Sequence, residues 1–471
     1  MKSRQIGLIS LLFISAQVSA QSFQQKISAA FNKLHADSQC RYASVSLTVL
    51  DVKTGEQVFA ANPDMGLAPG STMKTITSIT AFNVLGKDFQ YQTQFGYTGV
   101  IDADGTLNGD VIIKGGGDPT LGSWRWETTK ENYILTQMVN ALKKAGVKKI
   151  NGSIIGDDSL FGTQAIPDGW IWQDVGTYYG GAPTGLCWRE NTFDIKFQTG
   201  PVGTPVTITH TVPPMPYLTP KSEVINAPAR TGDQSYPYLP SLNSNIIYVR
   251  GTYAIDQTKK NSVAALPDPA YDAAYRLTDT LKRLSIDVSN QPQSAITLNA
   301  KGKPMPQITN NLIIINSPPL SSIAYWQNHI SINLYAEEML MAIALKSGKT
   351  ATTANGVKTL QDFWKAKGID ENTLNIFDGS GLAPGNRVTT LTMARVLRSA
   401  KSESWFADFY NSLPVYNDMH MKSGSINSAQ AYAGYQTHNG RELCFSIIVN
   451  NYNGSSRAIK DKLFKVLDEL K

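Results

Sequence analysis

The sequence predicts an α/β (α+β) protein: an antiparallel sheet flanked by helices, assembled from both ends of the chain and interrupted by a large, mostly β insertion in two parts. Three observations predict it. Runs alternating apolar and polar residues, joined by hairpin turn signals, lie near both termini. Segments with helical apolar spacing lie beside them. The middle is broken into short β-like runs by Gly and Pro clusters. With 471 residues, 42% hydrophobic content, 37 Gly, 23 Pro and 3 Cys, the chain can bury a sizeable core. At roughly 150 residues per domain, about three domains are expected. The composition excludes a disordered tail, a collagen-like fibre and a disulfide-stapled miniprotein.

Lys2 and Arg4 precede the apolar stretch Ile6–Val18, and Val18-Ser19-Ala20 supplies small residues before a cut at Gln21. Residues 1–20 therefore read as a cleavable secretory signal. That stretch is shorter than the ~18–20 apolar residues a span needs, and no other run is long enough, so no stable transmembrane anchor is expected. Ser22–Leu34 has helical spacing, Tyr42–Leu50 alternates as a strand, and Asp51–Gly55 turns the chain into a partner strand, Gln57–Ala61. After Pro69-Gly70, Ser71–Leu85 reads as a helix with Ile76, Ile79 and Phe82 inward and Gly86 at its stop.

In the middle, Val111–Lys114, Ile150–Ile155, Val206–Val212 and Asn245–Arg250 are β-like, Tyr271–Leu284 is helical, and 203–245 is Pro-rich and without evident structure. Leu334–Leu345 reads as an amphipathic helix. Ala431–Thr437 and Leu443–Asn450 are strands joined across His438-Asn439-Gly440, and Arg457–Leu470 is a closing amphipathic helix.

The charge balance is mild, 43 Lys+Arg against 37 Asp+Glu, with no basic run, so no nucleic-acid partner is expected. Cys40, Cys187 and Cys444 form no Cys-x-x-Cys and can make at most one disulfide within the chain. His35, His210, His329, His420 and His438 have no zinc-hydrolase spacing and suggest no Ser-His-Asp set. No metal is expected, and catalysis should avoid histidine.

Ser-x-x-Lys occurs once, at Ser71-Thr72-Met73-Lys74. On a helix, positions i and i+3 share a face, so the Lys74 amine can reach the Ser71 hydroxyl. Ser71 also sits at the positive end of that helix. Ser-x-Asn occurs at Ser241, Ser331 and Ser425, and Lys-[Ser/Thr]-Gly at Lys53, Lys346 and Lys422. Lys53-Thr54-Gly55 is a hairpin turn, and Lys346-Ser347-Gly348 ends a helix. Lys422-Ser423-Gly424 lies directly before the last sheet, and Ser331-Ile332-Asn333 leads into a helix between the other two motifs.

This ordered set resembles the active site of the penicillin-recognising serine acyltransferases, the penicillin-binding proteins and β-lactamases. Gly117-Asp118-Pro119-Thr120-Leu121, Gly156–Phe161, Asp378-Gly379-Ser380-Gly381-Leu382 and Asn386-Arg387-Val388-Thr389 resemble more narrowly the D-alanyl-D-alanine carboxypeptidase/endopeptidase family of penicillin-binding protein 4 type, peptidase family S13. The likeness covers most of the mature chain and is faint from about 200 to 260. Ser423 stands where that family usually has Thr, a change that keeps the hydroxyl.

The resemblance implies a transpeptidase-like catalytic domain of residues 21–90 and 305–471, an inserted domain of 91–195 and 250–304, and a nested β-rich domain of 196–249. It implies a periplasmic serine DD-peptidase that removes terminal D-Ala from peptidoglycan stem peptides, cleaves D-Ala–diamino acid cross-links, or both, and is acylated by β-lactams without any cofactor. Ser71 would be the nucleophile and Lys74 the base. A free lysine titrates at ~10.4, so making half of it neutral at pH 7 costs about 4 kcal/mol, which burial and a second cation, Lys422, can supply. Lys422 and Ser423 would meet the substrate carboxylate, with Gly424 completing the motif. Ser331 would relay a proton, and Asn333 would hold the substrate amide and Lys74. The N–H groups of Ser71 and Ser425 would form the oxyanion hole. Trp170, Trp172, Asp174 and Tyr178 resemble the patch that recognises the diamino acid, with Asp174 on its ammonium; alternatively the Trp-rich loop only packs one domain on another.

Two alternatives stand beside this reading: a β-lactamase or related esterase, and a non-catalytic wall-binding scaffold. Glu371-Asn372-Thr373-Leu374-Asn375 matches the motif that carries a deacylating Glu in class A β-lactamases. The long stretch from Ser71 to Ser331 exceeds that compact fold, so Glu371 is expected to be a solvated residue. Gly115-Gly116-Gly117 lacks a following Gly-Lys-[Ser/Thr] and reads as a tight turn, not a phosphate cradle.

Overall fold

The computed structural model describes residues 23–241 and 244–471; the expected signal lies outside the described residues, as do Leu242 and Asn243 of one Ser-x-Asn copy. Among the described residues no helix is long and apolar enough to cross a membrane. The chain forms two compact units, one of residues up to Asn83 with Ala324–Ser331 and Leu360–Lys471, the other of Val84–Ile323 with Ile332–Thr359.

The first unit is built on a six-stranded antiparallel sheet in the order Gln57–Ala61, Ser44–Asp51, Arg441–Asn450, Ala429–His438, Met419–Ile426, Val415–Tyr416. The two ends of the chain meet where Leu47 pairs with Ile447 and Val49 with Phe445. Strand alternation sends Val45, Leu47, Val49, Phe445, Ile447 and Val449 to one face. There they are covered by Phe23, Ile27, Phe31 and Leu34 of the helix at 23–35 and by Ile459, Leu463 and Val466 of the helix Ser456–Leu467. The hairpin joining the last two strands turns on Asn439 and Gly440, whose φ values of +48° and +80° are those of a type I′ turn.

The opposite face carries the chemistry. Ser46 and Thr48 point there and meet Thr390 Oγ1 at 2.6 and 2.8 Å, which fixes the helix Thr390–Ala400 on the sheet. The helix Met73–Leu85 is buried from Met73 to Phe82 on every side, although the sequence indicates a single inward stripe. Its polar residues tolerate this because they bond backbone: Thr75 Oγ1 to Thr72 O, Thr80 Oγ1 to Ile76 O and Thr77 Oγ1 to Gly379 O, at 2.8, 2.7 and 2.6 Å.

The second unit contains a five-stranded mixed sheet in the order Gln293–Ser294, Ile154–Asp157, Val111–Lys114, Gln92–Tyr97, Asn310–Asn316. The helices Glu131–Lys144 and Pro269–Arg283 contribute Ile134, Met138, Ala273 and Leu277 to the same apolar cluster as Phe95, Val111 and Ile154. Two three-stranded sheets share a separate core that includes Phe193, Ile195, Val224 and Ile247. The Pro-rich stretch that lacks evident structure in the sequence carries the strands Thr207–Val212, Thr219–Ala227 and Tyr236–Tyr238. Pro220 and Pro237 lie on the two edge strands of their sheet, where a missing N–H breaks no inner ladder.

The helix Asn333–Lys346 is also corrected from amphipathic to buried: Asn333–Ala344 lie inside, Glu337 and Glu338 included. Tyr335 donates to Glu190 Oε1 at 2.8 Å, and Glu190 takes Arg125 in a two-pronged grip at 2.6 and 2.9 Å. These partners replace water on the side the sequence assigns to solvent.

Thr390→Val would leave the buried Thr48 hydroxyl without its partner. It should lower unfolding stability by about 1–3 kcal/mol in urea titrations, whereas the exposed Thr209→Val should change it by less than about 0.5 kcal/mol.

Candidate active site

Ser71 lies in a short 3₁₀ turn, Gly70–Thr72, immediately before the helix Met73–Leu85. The approach to that turn is clamped to the last strand. Ala68 N donates to Asn450 Oδ1 at 2.7 Å, and Asn450 Nδ2 returns a bond to Ala68 O at 3.1 Å. Thr72 Oγ1 then closes the turn on Pro69 O at 2.7 Å.

Lys74, one helical turn on, has no exposed surface and places Nζ 2.9 Å from Ser71 Oγ and 2.8 Å from the carbonyl oxygen of Ser380. That carbonyl belongs to a loop organised around Asp378. The Asp378 carboxylate accepts from Gly381 N at 2.8 Å, Ala383 N at 2.6 Å and Asn386 Nδ2 at 2.8 Å, and Asn386 Oδ1 accepts from Phe377 N at 2.7 Å. In the sequence, Asp378-Gly379-Ser380-Gly381 and Asn386-Arg387-Val388-Thr389 carry only a family resemblance, without a role. A carboxylate followed by Gly-x-Gly and a nearby Asn is the signal that could have found a loop folded on its own acceptor.

Lys422-Ser423-Gly424 lies within the strand Met419–Ile426, not before the sheet as the sequence predicts. Met419 and Met421 belong to the core on one face, so Lys422 points to the other, opposite Ala433, with the small Ala431 two positions along that strand. Those small neighbours leave room for a long side chain. Gly424 is required by a close approach of backbones: a Cβ there would lie 2.2 Å from Pro69 O and 3.0 Å from Ser71 N, and one on Gly70 would lie 2.7 Å from Ser425 N. The main chain around Ser71 and that around Ser425 are thus packed against each other.

Lys422 is 1% exposed, and among the described residues its one hydrogen bond goes to Ser423 O at 3.0 Å. Burial, reinforced by the charge of Lys74, holds its ammonium well below the ordinary lysine range. Ser331, at the end of its segment in the same unit, has φ +64°, a left-handed conformation unusual for a serine and often kept at functional positions.

Asn333 belongs to the second unit, as do Trp172 and Asp174. Its Nδ2 donates to Tyr179 O at 2.8 Å, and the Tyr179 hydroxyl donates to Asp174 Oδ1 at 3.2 Å, so Asn333 and Asp174 share one support. Burial raises the Asp174 carboxyl, and the Tyr179 bond opposes that rise. Trp172 Nε1 donates to Leu239 O at 2.8 Å while much of its ring, like that of Tyr178, stays exposed. Glu371 pairs with Lys365 at 2.7 Å on the surface. The three cysteines are buried and free.

The crystal structure of penicillin binding protein 4 (dacB) from Haemophilus influenzae matches this architecture with a TM-score of 0.77 at 21% identity, covering 95% of this chain and 98% of that one. The fold is therefore that of the penicillin-recognising serine hydrolases. The chain belongs to the D-Ala-D-Ala carboxypeptidase 3 (S13) family, matched over residues 27–470. Among relatives, the D-alanyl-D-alanine carboxypeptidase of Actinomadura sp. (strain R39) is 24% identical over 450 residues, 88% of this chain and 80% of its own. D-alanyl-D-alanine carboxypeptidase DacB of Haemophilus influenzae is 24% identical over 444 residues, 89% of this chain and 88% of its own. The Haemophilus protein is also known in complex with a β-lactam, and that structure matches with a TM-score of 0.72 at 21% identity over 94% of this chain and 98% of that one.

A lysine whose folded-state value lies below its unfolded value binds its proton more readily in the unfolded chain. Stability therefore rises with pH between the two values. Lys422→Met should raise unfolding stability at pH 7 by about 0.5–2 kcal/mol, and the gain should shrink as the pH nears ~10.4, measured by denaturant titration at each pH.

Proposed function

We propose that the protein is a serine DD-peptidase acting on peptidoglycan stem peptides through an acyl-enzyme on Ser71. The observation that carries the reading is the 2.9 Å separation of Lys74 Nζ from Ser71 Oγ, with a second lysine, Lys422, buried in the same unit. Two buried ammonium groups repel, so the pair gives up a proton more readily than isolated lysines do. In this reading Lys74, the member of the pair that touches Ser71, acts as the neutral amine. It takes the Ser71 proton as Oγ attacks the D-Ala–D-Ala carbonyl, and the N–H groups of Ser71 and Ser425 receive the oxyanion.

Ser331 passes the proton to the leaving amine, D-Ala departs as that C–N bond breaks, and water hydrolyses the ester. Asn333 holds the substrate amide. The terminal carboxylate meets Lys422 and the Ser423 hydroxyl. A buried ammonium with one hydrogen bond among the described residues gains most from such a partner. Gly424 allows the backbone approach, and Asp174, with Trp172 beside it, takes the ammonium of the diamino acid.

The reading includes removal of residues 1–20 and a periplasmic location, where the substrate lies. It also keeps the three-part division of the mature chain, supported by separate apolar cores around Leu47, Phe95 and Ile195. Covalent binding of β-lactams is a property of the same nucleophile. The surface ion pair of Glu371 with Lys365 gives no support to the β-lactamase alternative.

Incubation with a fluorescent penicillin, followed by denaturing electrophoresis, tests the proposal. Wild type should carry one covalent label, Ser71→Ala none, and Lys74→Ala should be acylated at least about 10²-fold more slowly. An equal label on Ser71→Ala would contradict it. Glu371→Ala should leave release of the label unchanged, and faster release from wild type than from that variant would revive the β-lactamase reading. Purified peptidoglycan would then show which bonds are cut.

A further inference from the structure

The second unit carries a cavity of about 430 Å³, within the range of small-molecule sites, whose walls include Ile166, Val175, Leu239 and Leu266 together with Asp158 and Thr184. Among the described residues no lysine, arginine or histidine lines it, and none of Ser71, Lys74, Ser331, Asn333 and Lys422 does.

Asp158 is the unusual member of this lining. It is 8% exposed; its Oδ2 accepts the Thr184 hydroxyl at 3.2 Å, while Oδ1 has no hydrogen-bond partner among the described residues. Burial, with the nearby Asp268 charge, pushes its carboxyl up to about 7. The neighbouring carboxylates are engaged elsewhere. Asp268 accepts the Ser294 hydroxyl at 2.6 Å and Tyr271 N at 2.9 Å, and Asp157 accepts the Ser159 hydroxyl at 2.5 Å. A carboxylate buried on the wall of a largely apolar cavity, with no basic side chain among the described residues that line it, lacks a countercharge.

We propose that this cavity is a second binding site, for a small primary amine carrying an apolar body. The ammonium bonds Asp158 Oδ1 and the body covers the apolar walls. The location gives the site a bearing on the rest of the unit. Gly180, Ala182, Pro183 and Thr184 form one wall, and the flanking Tyr179 O and Thr184 N hold Asn333 and Glu338 at 2.8 and 2.9 Å on one helix.

Isothermal titration of 4-phenylbutylamine into the full protein at pH 8, with and without prior benzylpenicillin, tests the site. Mass spectrometry reads acylation separately, so failure of the acyl-enzyme reading is seen independently. Saturable one-to-one binding is expected to survive benzylpenicillin, to be at least tenfold weaker for the neutral 4-phenylbutanol, and to weaken at least tenfold in Asp158→Asn. Ile296→Trp, which fills the cavity from another wall, should abolish it. Absence of saturable binding, loss of binding on acylation, or equal binding by Asp158→Asn and Ile296→Trp, each folded by circular dichroism, would overturn the proposal.

Discussion

Two lysines buried in one unit set the terms for the rest of it. Lys74 has no exposed surface and Lys422 almost none, and the charge of the first lowers the proton affinity of the second. Such an arrangement opposes folding, and a core chosen for stability alone would replace one of them with an apolar residue. Lys74 stands at hydrogen-bonding distance from Ser71, and the function proposed above gives a reason to keep both, since repulsion between two buried ammonium groups makes the pair give up a proton more readily. The surroundings then serve to hold this pair in place.

They do so mainly with backbone. Gly424 lets the strand that carries Lys422 lie against the turn that carries Ser71, and a side chain on either Gly70 or Gly424 would collide with the other segment. Asp378 folds its loop around one carboxylate, so that Ser380 presents its carbonyl to Lys74. Asn450 fastens the other side of the turn to the central sheet. Positions fixed by main chain lose less to rotamer freedom than positions fixed by long side chains, which suits a site whose geometry must be ready before substrate arrives.

Much of this was legible in the sequence. Periodicity and turn residues located the terminal strands, because one sheet face is apolar and Asn439-Gly440 is an explicit hairpin signal. The spacing of Ser71 and Lys74 anticipated their proximity, since i and i+3 share a helical face. What was not legible depended on partners distant in sequence. The helix starting at Asn333 reads as amphipathic until Glu190 and Thr184 are seen to occupy the side assigned to water. The strand carrying Lys422 is obscured because Met419–Lys422 alternates for only four residues before Ser423-Gly424-Ser425, a run of small and polar residues that reads as a turn. The stretch around Pro220 and Pro237 looked structureless because a sequence does not say which strands lie at an edge. The Asp378 loop was visible as a motif, but its carbonyl faces Lys74 only in three dimensions.

The central claim, that a buried lysine pair supplies a neutral amine to Ser71, is tested most directly by the pH dependence of the rate constant for acylation by benzylpenicillin under single-turnover conditions. The account predicts an acid limb, with the rate falling tenfold per pH unit below an apparent value well under the ~10.4 of a free lysine. A limb centred on that ordinary lysine value, or a rate independent of pH across the range, would contradict it.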